Sequence, residues 1–77
     1  MTDWQEAVLR AIHRLCQRKG SRVFTRQELI NEELPRITEE TMTAGATPAQ
    51  TLSRVLQELR DMQLVEFLDN RGTYRLR

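Results

Sequence analysis

Residues 52–77 place an amphipathic helical pattern immediately before a glycine-turned β-hairpin. Apolar residues recur at spacings of three and four up to about Met62, and two alternating runs then flank the turn Asp69-Asn70-Arg71-Gly72. Glycine suits the end of that turn because it adopts positive φ without steric cost. This order, a helix followed directly by a two-stranded hairpin, limits the folds open to the chain more than any other feature.

The hairpin has one register in which its two runs, 65–68 and 73–76, agree chemically. Apolar residues then oppose apolar residues on one face, and an acid opposes a base on the other. A random pairing would seldom do this. The predicted pairs are Leu68 with Thr73, Phe67 with Tyr74, Val65 with Leu76 and Glu66 with Arg75.

The first helix is predicted to begin at the N-terminus of the chain. Either Thr2 or Asp3 can cap it, because Gln5 and Glu6 each lie three residues later and complete a reciprocal capping box. Gly20 stops the helix. The stripe expected to face the core consists of Trp4, Ala7, Val8, Ala11, Ile12, Leu15 and Cys16.

A short strand at Val23 and Phe24 is predicted to follow the first helix. Thr25 then caps a second helix, in which Glu28 completes another capping box. Pro35 is predicted to end this second helix.

Residues 36–46 show no sustained period and predict an ordered loop with at most a single helical turn. The third helix then begins at a strong signal, since Thr47 is a suitable cap, Pro48 occupies the first helical position and Gln50 lies three residues after the cap. This helix is expected to run to about Met62.

The predicted order is helix, strand, helix, helix, strand, strand. That order is typical of a winged helix-turn-helix domain, an α+β fold whose last two strands form a wing. With 77 residues, the chain is expected to be one domain spanning residues 1–77, near the lower size limit for a single apolar core.

Several classes of protein are disfavoured by composition. A single cysteine, Cys16, cannot form an internal disulfide or, with one histidine, complete a tetrahedral zinc site. The apolar runs are far too short to span a membrane and no secretory signal is visible, so we expect a cytoplasmic protein without membrane contact. No nucleophile with a base, metal-ligand set or glycine-rich phosphate loop is apparent, so we expect no catalytic activity from this chain by itself and no cofactor.

The third helix is predicted to bury one face and to leave polar side chains on the other. Glutamine can bind adenine and arginine can bind guanine through paired hydrogen bonds in the major groove of DNA. The acids of this helix, Glu58 and Asp61, lie in its later half, so the earlier half carries no negative charge to repel phosphate. The inward residues are Leu52, Val55, Leu56 and Leu59, and the candidate base-reading residues are Gln50, Ser53, Arg54 and Gln57.

Contacts with DNA phosphates are expected from the wing and from two helix starts. Arg71 at the turn and Arg75 on the polar face of the wing can reach phosphates beside the groove. Arg75 has an alternative role, since it can simply neutralise Glu66. Amide groups at the starts of the second and third helices can also bind phosphate oxygens, and the candidates there are Thr25, Arg26 and Thr47.

The net charge of +1, from 12 basic and 11 acidic residues, is lower than electrostatic binding to DNA alone would require. DNA binding therefore has to depend on how the charges are distributed. The near-neutral charge leaves a second hypothesis open, a protein-interaction or dimerisation winged helix without DNA readout. The acidic patch that motivates it consists of Glu32, Glu33, Glu39 and Glu40.

Residues 54–76 contain Leu56-Gln57-Glu58-Leu59-Arg60-Asp61, then the strand Val65-Glu66-Phe67, then Gly72-Thr73-Tyr74-Arg75-Leu76. This pattern resembles the C-terminal winged helix of the DpnI and Dam-replacing-protein family of restriction endonucleases, a domain similar to one that ends many HNH-type endonucleases. The first 50 residues resemble it in layout only.

The resemblance implies an accessory domain that binds double-stranded target DNA and, in the DpnI branch, senses N6-methyladenine. It further implies that nuclease chemistry belongs to another part of a parent chain, of which this domain is the C-terminal module. The positions to which the DNA-binding role carries over are Ser53, Arg54, Gln57, Arg71 and Arg75.

Overall fold

Four helices and a three-stranded antiparallel sheet make up the computed structural model, which describes residues 1–42, 47–69 and 71–77. The predicted α+β class is confirmed, with one helix more than expected. None of the helices in these ranges has the length and apolar character needed to cross a membrane. The elements are α1 (Asp3–Lys19), β1 (Val23–Thr25), α2 (Arg26–Glu32), α3 (Leu34–Glu40), α4 (Pro48–Asp61), β2 (Val65–Phe67) and β3 (Thr73–Leu76).

The first two helices begin as the sequence predicts. Of the two possible caps for α1, Thr2 is used, and it forms the reciprocal box with Gln5. Gly20 ends α1 in the left-handed conformation, with φ of 66°. Thr25 caps α2 and forms the second predicted box with Glu28.

The prediction that Pro35 ends the second helix is wrong. Helix α2 gives way to α3 at Glu33, and Pro35 lies in the first turn of α3. Proline is tolerated there because the first N–H groups of a helix have no acceptor within it. The predicted loop 36–46 is consequently helical as far as Glu40, and residues 43–46 lie outside the described ranges.

Helix α4 starts at Pro48 as predicted, but its cap differs from the prediction. The Thr47 side chain makes no capping hydrogen bond. Its carbonyl oxygen instead accepts from the N–H groups of Gln50 and Thr51, each at 3.2 Å. The helix ends at Asp61, one residue before the predicted end at about Met62, and Met62 itself is 42% exposed.

The predicted register of the hairpin is confirmed. The strand order is β1-β3-β2, so the last strand of the chain lies in the middle of the sheet. Tyr74 stacks on Phe24 with ring centroids 5.7 Å apart and meets the edge of Phe67 at 5.6 Å, which joins all three strands on one face. The pairs between β2 and β3 are Val65 with Leu76, Glu66 with Arg75 and Phe67 with Tyr74, and the Leu68 N–H donates to the Thr73 carbonyl at 2.8 Å.

The wing turn is held by one carboxylate. Asp69 Oδ1 accepts from the backbone N–H of Arg71 at 2.8 Å and of Thr73 at 3.3 Å. The hydrogen bond from Arg71, with that from Thr73, holds the pKa of the Asp69 carboxyl below its usual value. Gly72 has φ of 81°, which confirms the position predicted to need glycine, while Asn70 lies outside the described residues.

The helices and the inner face of the sheet enclose one core. Helix α1 contributes six buried residues and α4 contributes four, and these two helices pack against each other. The fully buried side chains of largest volume are Phe24, Ile12, Leu15, Leu29, Ile37, Leu52, Leu56, Leu59, Val8, Val55 and Val65.

One acid, Glu33, lies within this packing and is only 2% exposed. Arg14 donates to Glu33 Oε1 through Nε at 3.0 Å and Nη2 at 2.8 Å, and Arg18 Nη2 lies 2.7 Å from Oε2. Burial by itself would raise the pKa of the Glu33 carboxyl, but the hydrogen bonds from Arg14 and Arg18 outweigh it and lower the pKa. These ion pairs attach α1 to the junction of α2 and α3.

We expect Glu33→Gln to lower the free energy of unfolding by about 3 kcal/mol at pH 7, because it leaves Arg14 and Arg18 without their buried partner. The folded-state pKa of Glu33 is below its ordinary value. Its stabilisation is therefore complete above the unfolded-state pKa of about 4.3 and is lost as the pH falls through the folded-state value. Urea unfolding from pH 7 to pH 2 should show the difference between wild type and variant shrinking with acidification. Glu39→Gln, which alters an exposed acid of α3, is the control and should cost less than about 0.5 kcal/mol.

We also expect Gly72→Ala to lower the free energy of unfolding by about 1 to 2 kcal/mol, because alanine resists the left-handed backbone conformation. A Cβ at Gly72 would lie 3.4 Å from Arg26 Cβ, an ordinary contact, so the cost should be conformational. Gly20→Ala is the matched control, since Gly20 has φ of 66° and open space around it. If thermal unfolding shows similar losses of stability in Gly72→Ala and Gly20→Ala, the cost is conformational. A loss of stability in Gly72→Ala alone would contradict this explanation.

Candidate nucleic-acid interface

Helix α4 presents an exposed polar stripe on the side away from the core. Gln50, Arg54 and Gln57 are all exposed on it, and the side chain of Arg54 is 70% exposed. Residues three, four and seven apart return to one face of a helix at about 100° per residue, which places these three side chains together. The predicted inward residues, Leu52, Val55, Leu56 and Leu59, are each at most 1% exposed.

The sequence predicts Ser53 as a base-reading residue on the open face of α4, but its side chain is turned toward other parts of the protein. It is half-buried, and its Oγ accepts a hydrogen bond from Arg26 Nε at 2.6 Å and donates to the Ala49 carbonyl at 3.2 Å. Both functions of the hydroxyl are therefore used within the protein. Ser53 supports the interface, and the exposed stripe is formed by its neighbours on α4.

Arg26 connects three elements at one point. Its backbone N–H donates to the Gly72 carbonyl in the wing turn at 2.9 Å. Its side chain reaches α4, where Nε bonds Ser53 and Nη2 donates to the Ala49 carbonyl at 3.4 Å. Arg26 therefore fixes the start of α2, the first half of α4 and the wing relative to one another.

Arg54 belongs to a chain of polar contacts that also includes Glu58 and Gln5 and that the sequence does not predict. Its Nε lies 4.0 Å from Glu58 Oε2, one turn further along α4. Glu58 Oε1 in turn accepts from Gln5 Nε2 at 3.0 Å, across the packing of α1 against α4. The Glu58 carboxylate is thus shared between Arg54 and Gln5, and the Arg54 side chain stays exposed.

The two wing arginines differ in their surroundings. Arg71 is exposed and has no carboxylate within 4.0 Å among the residues that the structure describes. Arg75 lies 2.7 Å from Glu66, and Arg77 lies 3.5 Å from the same carboxylate. Arg75 is therefore neutralised by Glu66, which is the alternative role predicted for it. Of the two wing candidates, Arg71 is more available to bind a phosphate.

The two candidate threonines also differ. The Thr25 hydroxyl accepts from the Glu28 N–H at 3.0 Å, and the Thr25 N–H donates to the Glu28 carboxylate at 2.8 Å. An acid already occupies that helix start, where hydrogen bonds from Lys19 and Thr25 lower the pKa of Glu28 against the opposing effect of burial. Thr47, by contrast, is exposed and its hydroxyl is not used in capping.

The basic residues of α1 are paired with acids of α2 and α3. Of the four residues in the predicted acidic patch, three, Glu32, Glu33 and Glu40, take part in these contacts. The arginines that border α4 and the wing turn, Arg26 and Arg71, have no such carboxylate within 4.0 Å among the described residues. The pairs are Arg10 with Glu40 at 3.2 Å, Arg14 with Glu33 at 2.8 Å, Arg18 with Glu33 at 2.7 Å and with Glu32 at 3.4 Å, and Lys19 with Glu28 at 2.8 Å.

The structure therefore brings together Gln50, Arg54 and Gln57 on one face of α4 and joins Arg26 to this helix through Ser53 and Ala49. The backbone of Gly72, next to Arg71, lies against Arg26. Such a surface offers hydrogen-bond donors, acceptors and positive charge, which is the chemistry that nucleic acid binding requires. Among the described residues, no group of three or more histidine, cysteine or acidic side chains is placed to hold a metal ion. Comparison of the chain with protein-family models, curated proteins and solved structures finds no match.

Proposed function

We propose that this chain is a winged-helix domain that binds double-stranded DNA, with α4 in the major groove and the β2–β3 wing beside the backbone. The observation that carries the proposal is the exposed stripe of Gln50, Arg54 and Gln57 on α4. It is accompanied by Arg71, an exposed cation of the wing turn with no carboxylate within 4.0 Å in the described ranges. In the strand order β1-β3-β2, β2 is an edge strand and contacts α4, so one strand of the wing lies beside this helix, which supports this docking.

Base reading is assigned to the stripe on α4. Arg54 can donate two hydrogen bonds to O6 and N7 of guanine, and Gln50 or Gln57 can pair with N6 and N7 of adenine. The first half of α4 carries no acid, since Glu58 and Asp61 lie in its later half. Phosphate contact is assigned to the wing through Arg71, with a smaller contribution from the partly neutralised Arg75.

The resemblance of residues 54–76 to the winged helices of restriction endonucleases supports a narrower role. In this role the domain selects the target site, including adenine methylated at N6, for a nuclease domain elsewhere in a parent protein. The methyl group projects into the major groove, where α4 would meet it. Paired duplexes that differ only in adenine N6-methylation test the methyl-sensing part of this role, and equal affinities would reject that part.

DNA binding itself is tested by fluorescence anisotropy with labelled duplexes at low salt. If three or four phosphates are contacted, the logarithm of the binding constant should fall against the logarithm of salt concentration with a slope of about −3. Absence of binding to every duplex in a palindrome library, with and without methylation, would reject the proposed function.

Arg54→Ala should remove preference among bases while leaving most of the backbone affinity. We expect a loss of about 1 to 3 kcal/mol against the preferred duplex and little loss against a scrambled one, because a base contact discriminates and a phosphate contact does not. The control is Arg36→Ala, which removes an exposed arginine from α3. A uniform loss on both duplexes would reassign Arg54 to the phosphate backbone.

A second candidate, a protein-interaction domain, is favoured by one observation. Phe67 and Leu68 at the end of β2 are 41% and 45% exposed, and exposed apolar side chains are common where proteins associate. Analytical ultracentrifugation over a range of concentrations, with and without duplex, separates the two functions. A dimer that forms through Phe67 and ignores DNA would support this candidate, and a monomer that binds duplex would reject it.

A further inference from the structure

We infer that Arg26 and Arg71 together form a preorganised site for a single phosphate of the DNA backbone, at the junction of α2, α4 and the wing turn. This inference rests on the proposed function and adds a defined anion site to it. Arg26 is suited to binding a phosphate because hydrogen bonds within the fold already orient its side chain. Arg71 supplies the second cation from the adjacent turn.

The orientation of Arg26 is set by two hydrogen bonds. Its Nε donates to Ser53 Oγ at 2.6 Å and its Nη2 donates to the Ala49 carbonyl at 3.4 Å. A guanidinium group has five N–H donors, so three of them are still available. The two inward bonds hold the plane of the group, which lowers the entropy lost when a phosphate binds.

The charge of Arg26 is not compensated within the described part of the chain. Arg14 is half-buried to a similar degree, but it lies 2.8 Å from the Glu33 carboxylate. Arg26 is half-buried among the hydroxyl and carbonyl oxygens of α4, with no carboxylate within 4.0 Å in the described ranges. A partly desolvated cation without a counter-ion favours an anionic ligand.

The backbone of the wing turn meets Arg26 at the residue next to Arg71. The Arg26 N–H donates to the carbonyl of Gly72, the residue that follows Arg71, at 2.9 Å. A Cβ built on Gly72 would lie 3.4 Å from Arg26 Cβ, so the two backbones are in close contact. Asp69, the acid of this turn, is directed at the backbone N–H groups of Arg71 and Thr73. Two arginines in this arrangement can bind the oxygens of one phosphate from two sides.

The test compares Arg26→Gln with a matched loss of charge at Arg22→Gln. Arg22 is exposed, and its carbonyl accepts from Leu76, so it lies about 10 Å along β1 from the wing turn. We expect Arg26→Gln to weaken binding about tenfold on every duplex. Removal of both cations in the double variant Arg26→Gln/Arg71→Gln should make the salt slope less negative by about 0.9, because the shared phosphate is then no longer neutralised. Arg22→Gln should leave affinity and slope nearly unchanged, and equal losses of affinity in Arg26→Gln and Arg22→Gln would overturn the inference.

Ser53→Ala separates the orientation of Arg26 from its charge. The variant keeps the cation and removes the hydroxyl that holds Nε. We expect a smaller and uniform loss of affinity, about threefold, with an unchanged salt slope, because the number of neutralised phosphates is the same. Full wild-type affinity in Ser53→Ala would show that the hydrogen bond does not preorganise the site.

A scan with methylphosphonate, which replaces one charged phosphate at a time by a neutral group, identifies the ligand. In the wild type, methylphosphonate at one position should lower affinity about tenfold. In Arg26→Gln, where only Arg71 still meets that phosphate, the same replacement should cost less. Arg71→Gln should lose sensitivity at the same position. Loss of sensitivity at two different positions would show that the arginines bind separate phosphates and would overturn the shared site.

These outcomes distinguish the inference from the proposed function. If the wild-type domain binds no duplex at all, the proposed function fails and the phosphate site fails with it. If the wild type binds with a steep salt slope, but Arg26→Gln matches it in affinity and slope, only the shared site is rejected. All variants should be checked for wild-type unfolding midpoints before titration.

Discussion

The packing of α4 against α1 determines which side chains this domain offers to a partner. Leu52 and Leu59, with the two apolar residues between them, are buried in that contact, and a helix with one buried face must present the opposite face outward. Gln50, Arg54 and Gln57 are exposed for this reason alone. A rotation of α4 would bury them, so the stability of the core and the chemistry of the surface depend on the same contact.

A second constraint is that some arginines form ion pairs that stabilise the fold, whereas others stay exposed on the surface. The short helices α2 and α3 have seven residues each and are too short to be stable alone in water. The buried carboxylate of Glu33, where they meet, attaches both to α1 through Arg14 and Arg18. The charges of Arg14 and Arg18 are therefore neutralised within the folded domain. The net charge of +1 therefore understates how positive the side formed by Arg26 and Arg71 is.

The sequence predicts what depends on neighbouring residues and misses what depends on distant ones. The Thr25 capping box and the pairing of Phe67 with Tyr74 follow from spacing, and both are confirmed. The role of Pro35 is misjudged because proline both ends helices and begins them. The contact of Arg26 with Ser53 joins residues 27 apart, and no local pattern encodes it. The exposed stripe was therefore predictable, whereas the arrangement of its supporting side chains was not.

The two sets of arginines should also respond differently to salt. Exposed charges separated by more than about 8 Å are largely screened at physiological ionic strength, whereas a buried pair is screened much less. The contacts of Arg14 with Glu33 are of the second kind, since that carboxylate is 2% exposed. Arg54 and Arg71 are of the first kind. Added salt should consequently weaken the attraction of the surface for DNA while the fold persists, so the salt dependence of binding reports on the interface and not on unfolding.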